Sequence, residues 1–259
     1  CIKNAMIRRT FLILPSLGKK KEVNLWKEGI LDWNDFVSTS KIKGISAERK
    51  ENMDALLLRA DQSLENRQSE YFSKILPSVE HWRMLDNFWD DAAYLDIETS
   101  GRSRYASVTV VGIYYKGKMT SLVKGEDLTF QNLSDSLKDA KMLVTFNGSS
   151  FDLPILEYHF PFAVPKVPHC DLRHACRRAG YCGGLKSIEK QMGMFREKEV
   201  EYMTGEEAVY LWRAWERSKS KNALKLLVKY NEEDVLNLEP IAKTTYSILK
   251  QKLIEEADI

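Results

Sequence analysis

Asp96 and Glu98 stand two residues apart in the stretch Ala92-Ala93-Tyr94-Leu95-Asp96-Ile97-Glu98. On an extended strand that spacing turns both carboxylates to one face. Their neighbours are apolar, and anions crowded into an apolar strand are costly unless a cation neutralises them. A solvated strand could carry the same pair without any ligand. Asp152 closes the run Asn147-Gly148-Ser149-Ser150-Phe151-Asp152, after an apolar strand and at the start of a helix. Strand ends are where α/β folds hold their sites, although a helix cap would also place an aspartate there. Tyr230 and Asp234 lie four apart and share one face of a helix. The acids between them, Glu232 and Glu233, also suit a solvated helix, and Tyr230 could be a packing residue. The chemistry open to such oxygen ligands is the binding of hard divalent ions such as Mg²⁺ or Mn²⁺.

The elements that must position these groups alternate between strand and helix from about residue 86 onward. Strands are predicted at 92–98, 108–115, 119–123, 142–146 and 167–170, the second and third joined by a tight turn at Lys116-Gly117. Helices are predicted at 129–139, from about 151, and at 172–180, 185–192, 205–218 and 221–250. The order is three antiparallel strands, then helix, strand, helix, strand. Residues 6–85 read as a separate helical segment, and 86–259 as the main domain. In the first part a turn at Leu14-Pro15-Ser16-Leu17-Gly18 leads into a helix over 19–28. Gly29 ends that helix as its C′ residue, Trp33 and Phe36 follow, and 46–73 forms a helical connector packed on the main domain. This segment looks like a helix-hairpin-helix element, with Lys19, Lys20 and Lys21 at the helix start as nucleic-acid contacts. Ser16 stands where that element usually has glycine, and a small packing hairpin without a ligand would give the same pattern.

The chain has 259 residues, 44% of them hydrophobic, enough to bury a core. Its net charge is only +2, so bulk charge does not by itself point to nucleic acid. Residues 1–50 carry eleven Lys/Arg against five Asp/Glu, a net +6, which leaves −4 for the remainder. A basic segment beside a carboxylate cluster fits a protein that grips phosphate in one place and holds cations in another. A lysine-rich solvated surface is the alternative. No apolar run approaches the roughly 20 residues that span a membrane. Met6 to Leu14 opens like a signal peptide, but its apolar part is short and Pro15 follows. A cytoplasmic location is expected. Cys170, Cys176 and Cys182 are interleaved with His169 and His174. They follow no CxxC spacing, so together with Cys1 they read as reduced thiols rather than a metal site.

Asp-x-Glu, then Asn-x-x-x-Phe-Asp, then Tyr-x-x-x-Asp, in that order, resembles the three motifs of the DEDD superfamily of exonucleases. Tyr230 places the chain with the tyrosine subgroup, similar to the proofreading domain of family B DNA polymerases. A closer resemblance is to YprB-type ribonuclease-H-like proteins, supported by Leu95-Asp96-Ile97-Glu98-Thr99, Cys170-Asp171-Leu172, Leu185-Lys186-Ser187-Ile188-Glu189 and Glu207-Ala208-Val209-Tyr210-Leu211-Trp212. It covers about residues 90–240. The resemblance implies an α/β fold, a ribonuclease-H-like mixed five-stranded sheet flanked by helices. It implies a metal-dependent 3′–5′ exonuclease that hydrolyses terminal phosphodiesters of single-stranded DNA by a two-metal-ion mechanism. Asp96, Glu98, Asp152 and Asp234 would hold two divalent cations, Mg²⁺ or Mn²⁺, and Tyr230 would orient the attacking water as a neutral phenol. Thr99, Asn147, Phe151 and Lys186 are expected to contact the nucleic acid. Arg173 could grip phosphate or be surface charge, and Asp171 could be a fifth acid or a helix cap. Tyr210, Trp212 and Trp215 are expected in the core rather than as base-stacking platforms. The partner implied is a single-stranded 3′ end, DNA favoured over RNA, with no membrane. An exoribonuclease and a non-catalytic nucleic-acid-binding protein are the alternatives.

Overall fold

The computed structural model describes residues 5–257 apart from Arg102 and Arg104; Cys1 lies outside the described residues. Five strands form one sheet: β1 (Ala92–Thr99), β2 (Val108–Tyr115), β3 (Lys118–Val123), β4 (Met142–Thr145) and β5 (His169–Asp171), in the order β3-β2-β1-β4-β5. The first three pair antiparallel, and β4 and β5 run parallel to β1. The sheet is mixed and flanked by helices, as expected from the element order. Valine, isoleucine and tyrosine dominate β2, while β1 sets alanine, leucine, isoleucine and tyrosine around its two acids, and both strands are largely buried on either face.

Alternation along β1 sorts the two faces. Ala93, Leu95 and Ile97 pack with α6 (Phe130–Leu137) and α7 (Asp152–His159) through Leu133, Leu137, Ile155 and Leu156. Ala92 and Tyr94 face the other way, into a core shared with α8 (Leu172–Ala179) and α12 (Leu238–Ala257). Farther along that second face, Val110 packs with Trp212 of α10 (Gly205–Ser218) and with Leu227 and Tyr230 of α11 (Lys221–Leu236). Asp96 and Glu98 share the parity of Tyr94, so they fall between these two clusters. A seam between two dry cores is where a sheet can hold buried charge close to an opening.

The N-terminal part forms α1 (Lys19–Lys27), α2 (Trp33–Ser38), α3 (Ala47–Glu65), α4 (Ser69–Ile75) and α5 (Leu85–Phe88), and α9 (Leu185–Gln191) completes the set. Trp26, Phe36, Leu57 and Phe72 from this part join the same buried cluster as Tyr94, Val144 and Leu238. The turn before α1 has one α-helical flank only. The residues ahead of it, Met6–Arg9, are a four-residue 3-10 helix. Ser16 adopts φ 63°, the left-handed conformation that glycine takes most easily.

Two predicted helices are split. The 46–73 stretch breaks after Glu65, where Arg67 takes φ 54° before α4 begins. The 221–250 stretch breaks at Asn237. Pro240 explains the second break: it has no N–H, and its ring would strike the carbonyl of Leu236 in a continuous helix. The fifth strand sits at His169–Asp171 rather than 167–170.

Candidate functional site

Asp96, Glu98 and Asp234 converge. Each offers a carboxylate oxygen, and these oxygens all lie within 4.8 Å of one another. Asp96 and Glu98 come from one face of β1, and Asp234 comes from α11, which crosses that face. Asp152 is not one of these three, but its carboxylate bonds the same stretch of β1 from the start of α7. β1 pairs with β4 only over Ala92–Tyr94, so farther along the N–H of Ile97 has no strand partner there. It donates instead to Asp152 Oδ1 at 3.0 Å. Asp152 is the first residue of α7, with Pro154 in the first turn where a missing N–H is harmless. Tyr230 lies one helical turn before Asp234, and both are buried.

The turn that delivers Asp152 is itself pinned. Asp171, at the end of β5, accepts from Asn147 N at 2.8 Å and Ser149 N at 3.1 Å. It also caps α8 by accepting from Arg173 N at 3.1 Å. Asp171 is therefore a cap and a clamp. A Cβ on Gly148 would lie 2.2 Å from Thr145 Oγ1, so only glycine closes this turn. Asn147 adopts φ 66° and its side-chain oxygen accepts from Arg173 Nη1 at 2.7 Å.

A third contact comes from a residue the sequence did not flag. Asn231 Nδ2 donates to Asp96 Oδ2 at 2.9 Å. Asp96 pairs with Gly112 across the strands, and a Cβ on Gly112 would lie 2.2 Å from Asn231 Oδ1. The missing side chain lets α11 approach the sheet closely enough for Asn231 to reach Asp96. A glycine in the middle of Val108-Thr109-Val110-Val111-Gly112-Ile113 was the available signal, since a strand glycine often marks close approach.

Arg196 was also missed, and no periodicity around it could have found it. It forms a bidentate pair with Glu189, through Nε at 2.7 Å and Nη2 at 2.6 Å, and its Nη2 also donates to Asp234 Oδ1. Glu189 is further held by Asn237 Nδ2 at 3.0 Å. Lys186 has a structural use that differs from the expected phosphate contact. Its ammonium donates to the carbonyls of Val200, Glu201 and Met203, and it lies 5.1 Å from the centre of the Tyr230 ring. Lys19 pairs with the buried Glu80 at 2.8 Å, while Lys20 is exposed.

Magnitudes decide what this cluster needs. Two unit charges 4.8 Å apart repel by about 3.5 kcal/mol at an effective dielectric near 20. Three such pairs total roughly 10 kcal/mol, comparable with the whole stability of a domain. Arg196 relieves little of this, because Glu189 already balances it. Counting Lys186, two cations face the five carboxylates of Asp96, Glu98, Asp152, Glu189 and Asp234. Burial, then the neighbouring carboxylates, push the Asp96 and Glu98 carboxyls well above the ordinary range. Burial raises Asp152 to about 7 despite the Ile97 hydrogen bond, and Asp234 to about 6 despite Arg196. Burial also drives the Tyr230 phenol upward, so it is neutral at physiological pH. Excess negative charge on hard oxygen donors is the requirement of a divalent cation site, so the donor set fits Mg²⁺ or Mn²⁺. Among the described residues no other group of three or more His, Cys, Asp or Glu side chains brings its ligand atoms this close together. Cys170 and Cys176 are buried free thiols and Cys182 is exposed.

A cleft of about 600 Å³ opens beside Glu98. Its walls include Thr99 from the end of β1, Phe151 from the turn before α7, and Val209 and Arg213 from α10. The β1–β2 register shifts between Glu98 and Thr99, and Thr99 Oγ1 donates to Gly101 O at 2.6 Å. Such a shift bends a strand end and re-aims its side chains. Trp212 is in the core as expected, Trp215 packs partly against it, and Tyr210 is exposed.

Fold and acids together define a mixed α/β protein with a carboxylate centre at the ends of its central strands. The RNase H superfamily model matches residues 93–246, more than half of the chain, and the chain belongs to the RNase H superfamily. No curated protein matches it. The superfamily is one of nucleases that typically use divalent metals, which makes this chain a ribonuclease-H-like hydrolase with nucleic acid as the substrate class. No helix among the described residues is long and apolar enough to cross a membrane.

Proposed function

We propose that this protein is a metal-dependent 3′–5′ exonuclease of the tyrosine-type DEDD class, acting on single-stranded nucleic-acid ends, DNA before RNA. The observation that carries the reading is the meeting of Asp96, Glu98 and Asp234 within 4.8 Å, with Tyr230 one turn from Asp234. The four carboxylates, Asp152 included, would hold two divalent ions, Mg²⁺ or Mn²⁺. When bound, these supply a nucleophile at neutral pH and charge stabilisation for the departing 3′-oxygen.

The chain's own residues do the rest. Asn231 fixes the rotation of the Asp96 carboxylate, and Arg196 fixes that of Asp234. The Ile97 N–H holds Asp152. Tyr230, neutral and buried against these acids, keeps its proton and orients water by hydrogen bonding rather than acting as a base. The cleft beside Glu98 takes the terminal nucleotide, with Phe151 and Thr99 on its wall and Arg213 as a cation at its edge.

The test is digestion of matched 5′-labelled DNA and RNA oligonucleotides with Mn²⁺. Loss of single nucleotides from the 3′ end is expected, faster on DNA. Asp96→Ala and Asp234→Ala should each lose at least about a thousandfold in rate, and Tyr230→Phe less. Undiminished activity in excess EDTA, or wild-type turnover by Asp234→Ala, would overturn the reading. Faster trimming of RNA would move it to an exoribonuclease.

A further inference from the structure

The acid site lies at one end of α8, and the outer surface of that helix is basic. Arg173, His174 and Arg177 are exposed and Arg178 is half-buried. Residues four apart share a helix face, so Arg173 stacks over Arg177 and His174 over Arg178. The row begins at the site, because Arg173 bonds the side chain of Asn147 in the turn that delivers Asp152. It borders a cavity of about 380 Å³ whose wall also includes Ser149, Val79 and Trp82. Arg178 lies over the Trp82 ring at 5.8 Å and donates to Val79 O at 2.6 Å, so it is held in place rather than free to collapse onto the acids.

The row does not stop at α8. Glu80 Oε1 forms ion pairs with Arg178 Nη2 at 3.1 Å and with Lys19 Nζ at 2.8 Å. That single oxygen joins the far end of α8 to the start of α1, where Lys20 and Lys21 are also exposed. The buried acids here do not cancel the charge. Glu80, Glu22 and, at the start of α8, Asp171 balance Arg83, Arg178 and Lys19, which leaves Lys20, Lys21, Arg173 and Arg177 as the excess positive charge.

We propose that the exposed face of α8, continued through Glu80 to Lys19 and Lys20 of α1, is a track for the sugar–phosphate backbone of the nucleic-acid strand that leads away from the acid site. The inference rests on the nuclease reading above and adds the path of the strand. Charge complementarity selects the occupant. A row of cations running outward from a site with excess negative charge suits a polyanion whose reacting end is held by metal and whose remaining phosphates need cations. Because the track meets phosphate alone, it reads no bases, and its binding is salt-dependent.

Binding of a fluorescent single-stranded oligonucleotide of about 20 nucleotides, followed by anisotropy in EDTA over a range of salt, tests the track without any turnover. The variant carries Arg177→Glu and Lys20→Glu. A control carries Lys118→Glu and Lys138→Glu, on β3 and just past α6, at the opposite edge of the sheet. The track variant should bind roughly tenfold more weakly, with a salt slope lower by about one for each phosphate that the protein no longer neutralises. Its Mn²⁺ binding, followed by paramagnetic resonance, should match the wild type. Arg177→Gln alone, a milder change, should give a smaller loss in the same direction. Wild-type affinity and salt slope in both track variants, or an equal loss in the control, would overturn the track. A wild-type protein that binds the oligonucleotide and Mn²⁺ but hydrolyses nothing would instead overturn the nuclease reading and leave the track standing.

Discussion

At the residue scale the site is built as much by what holds the carboxylates as by the carboxylates themselves. Asn231 reaches Asp96 only because Gly112 has no side chain. Gly112→Ala would bring a methyl group to 2.2 Å from Asn231 Oδ1 and 2.8 Å from Val235 Cγ2. Overpacking of that kind costs ~1–3 kcal/mol. We expect a lowered melting temperature and, in the fraction that stays folded, a larger fall in kcat than in KM, because Asp96 would lose its orientation. A folded Gly112→Ala protein with wild-type kcat would show that Asn231 does not matter to Asp96. Arg196 has the opposite character, a buried cation between two acids. Arg196→Met would leave Glu189 and Asp234 without it, and breaking a buried pair typically costs about 3–5 kcal/mol. Added Mn²⁺ should restore part of the melting temperature, since an ion at Asp234 replaces some of the missing charge. Thermal melts with and without Mn²⁺ check this, and equal ion-induced gains in variant and parent would contradict it.

At the scale of elements, the acid pair on β1 and the Tyr–Asp pair on α11 were legible because strand and helix periodicities are local. A spacing of two or four residues fixes a face whatever the rest of the chain does. The Asp152 turn was legible for a similar reason, since Asn147-Gly148 can only be a break. Arg196 was not legible. Its partners lie 7 and 38 residues away, and it comes from a stretch between α9 and α10 with no repeating pattern. The split at Asn237 was written in Pro240 but hidden by the apolar periodicity on both sides of it. Of the N-terminal helices only the 46–73 connector was expected to pack on the main domain; for the rest, periodicity tells which face is buried but not against what. They share a core with β1, β4, α8 and α12. Deleting residues 1–75 would therefore strip apolar cover from the main sheet, at about 25 cal/mol for each Å² re-exposed. We expect that deletion to yield insoluble chains or a melt with no cooperative transition. A soluble truncation melting within a few degrees of the parent would refute this.

At the scale of the whole molecule, the carboxylate cluster makes stability depend on pH and metal together. Asp152 is raised to about 7 and Asp234 to about 6, against about 4 for an aspartate in an unfolded chain. Between these values the folded chain binds more protons than the unfolded one. Stability of the metal-free protein from these groups therefore falls as pH rises from about 4 to about 7, and stays at its lowest above that. A divalent ion competes with the same protons, so its stabilisation grows in the same window. We expect the metal-free protein to melt at a lower temperature near pH 8 than near pH 5.5, and Mn²⁺ to raise the melting temperature more near pH 8. Calorimetry at the two pH values decides the matter, and a larger Mn²⁺ effect in acid would contradict it.

The shared core of the N-terminal helices and α8 has one further consequence. Packed into one body, Lys20 and the acid cluster stand at a constant separation, like two marks on a ruler. Under the proposed exonuclease activity and strand track, a strand long enough to touch both marks would gain from both, and one eroded below that length would be gripped at a single mark. Progressive trimming should then slow abruptly at one chain length, and a short oligomer of nearly uniform size should accumulate late in the digest.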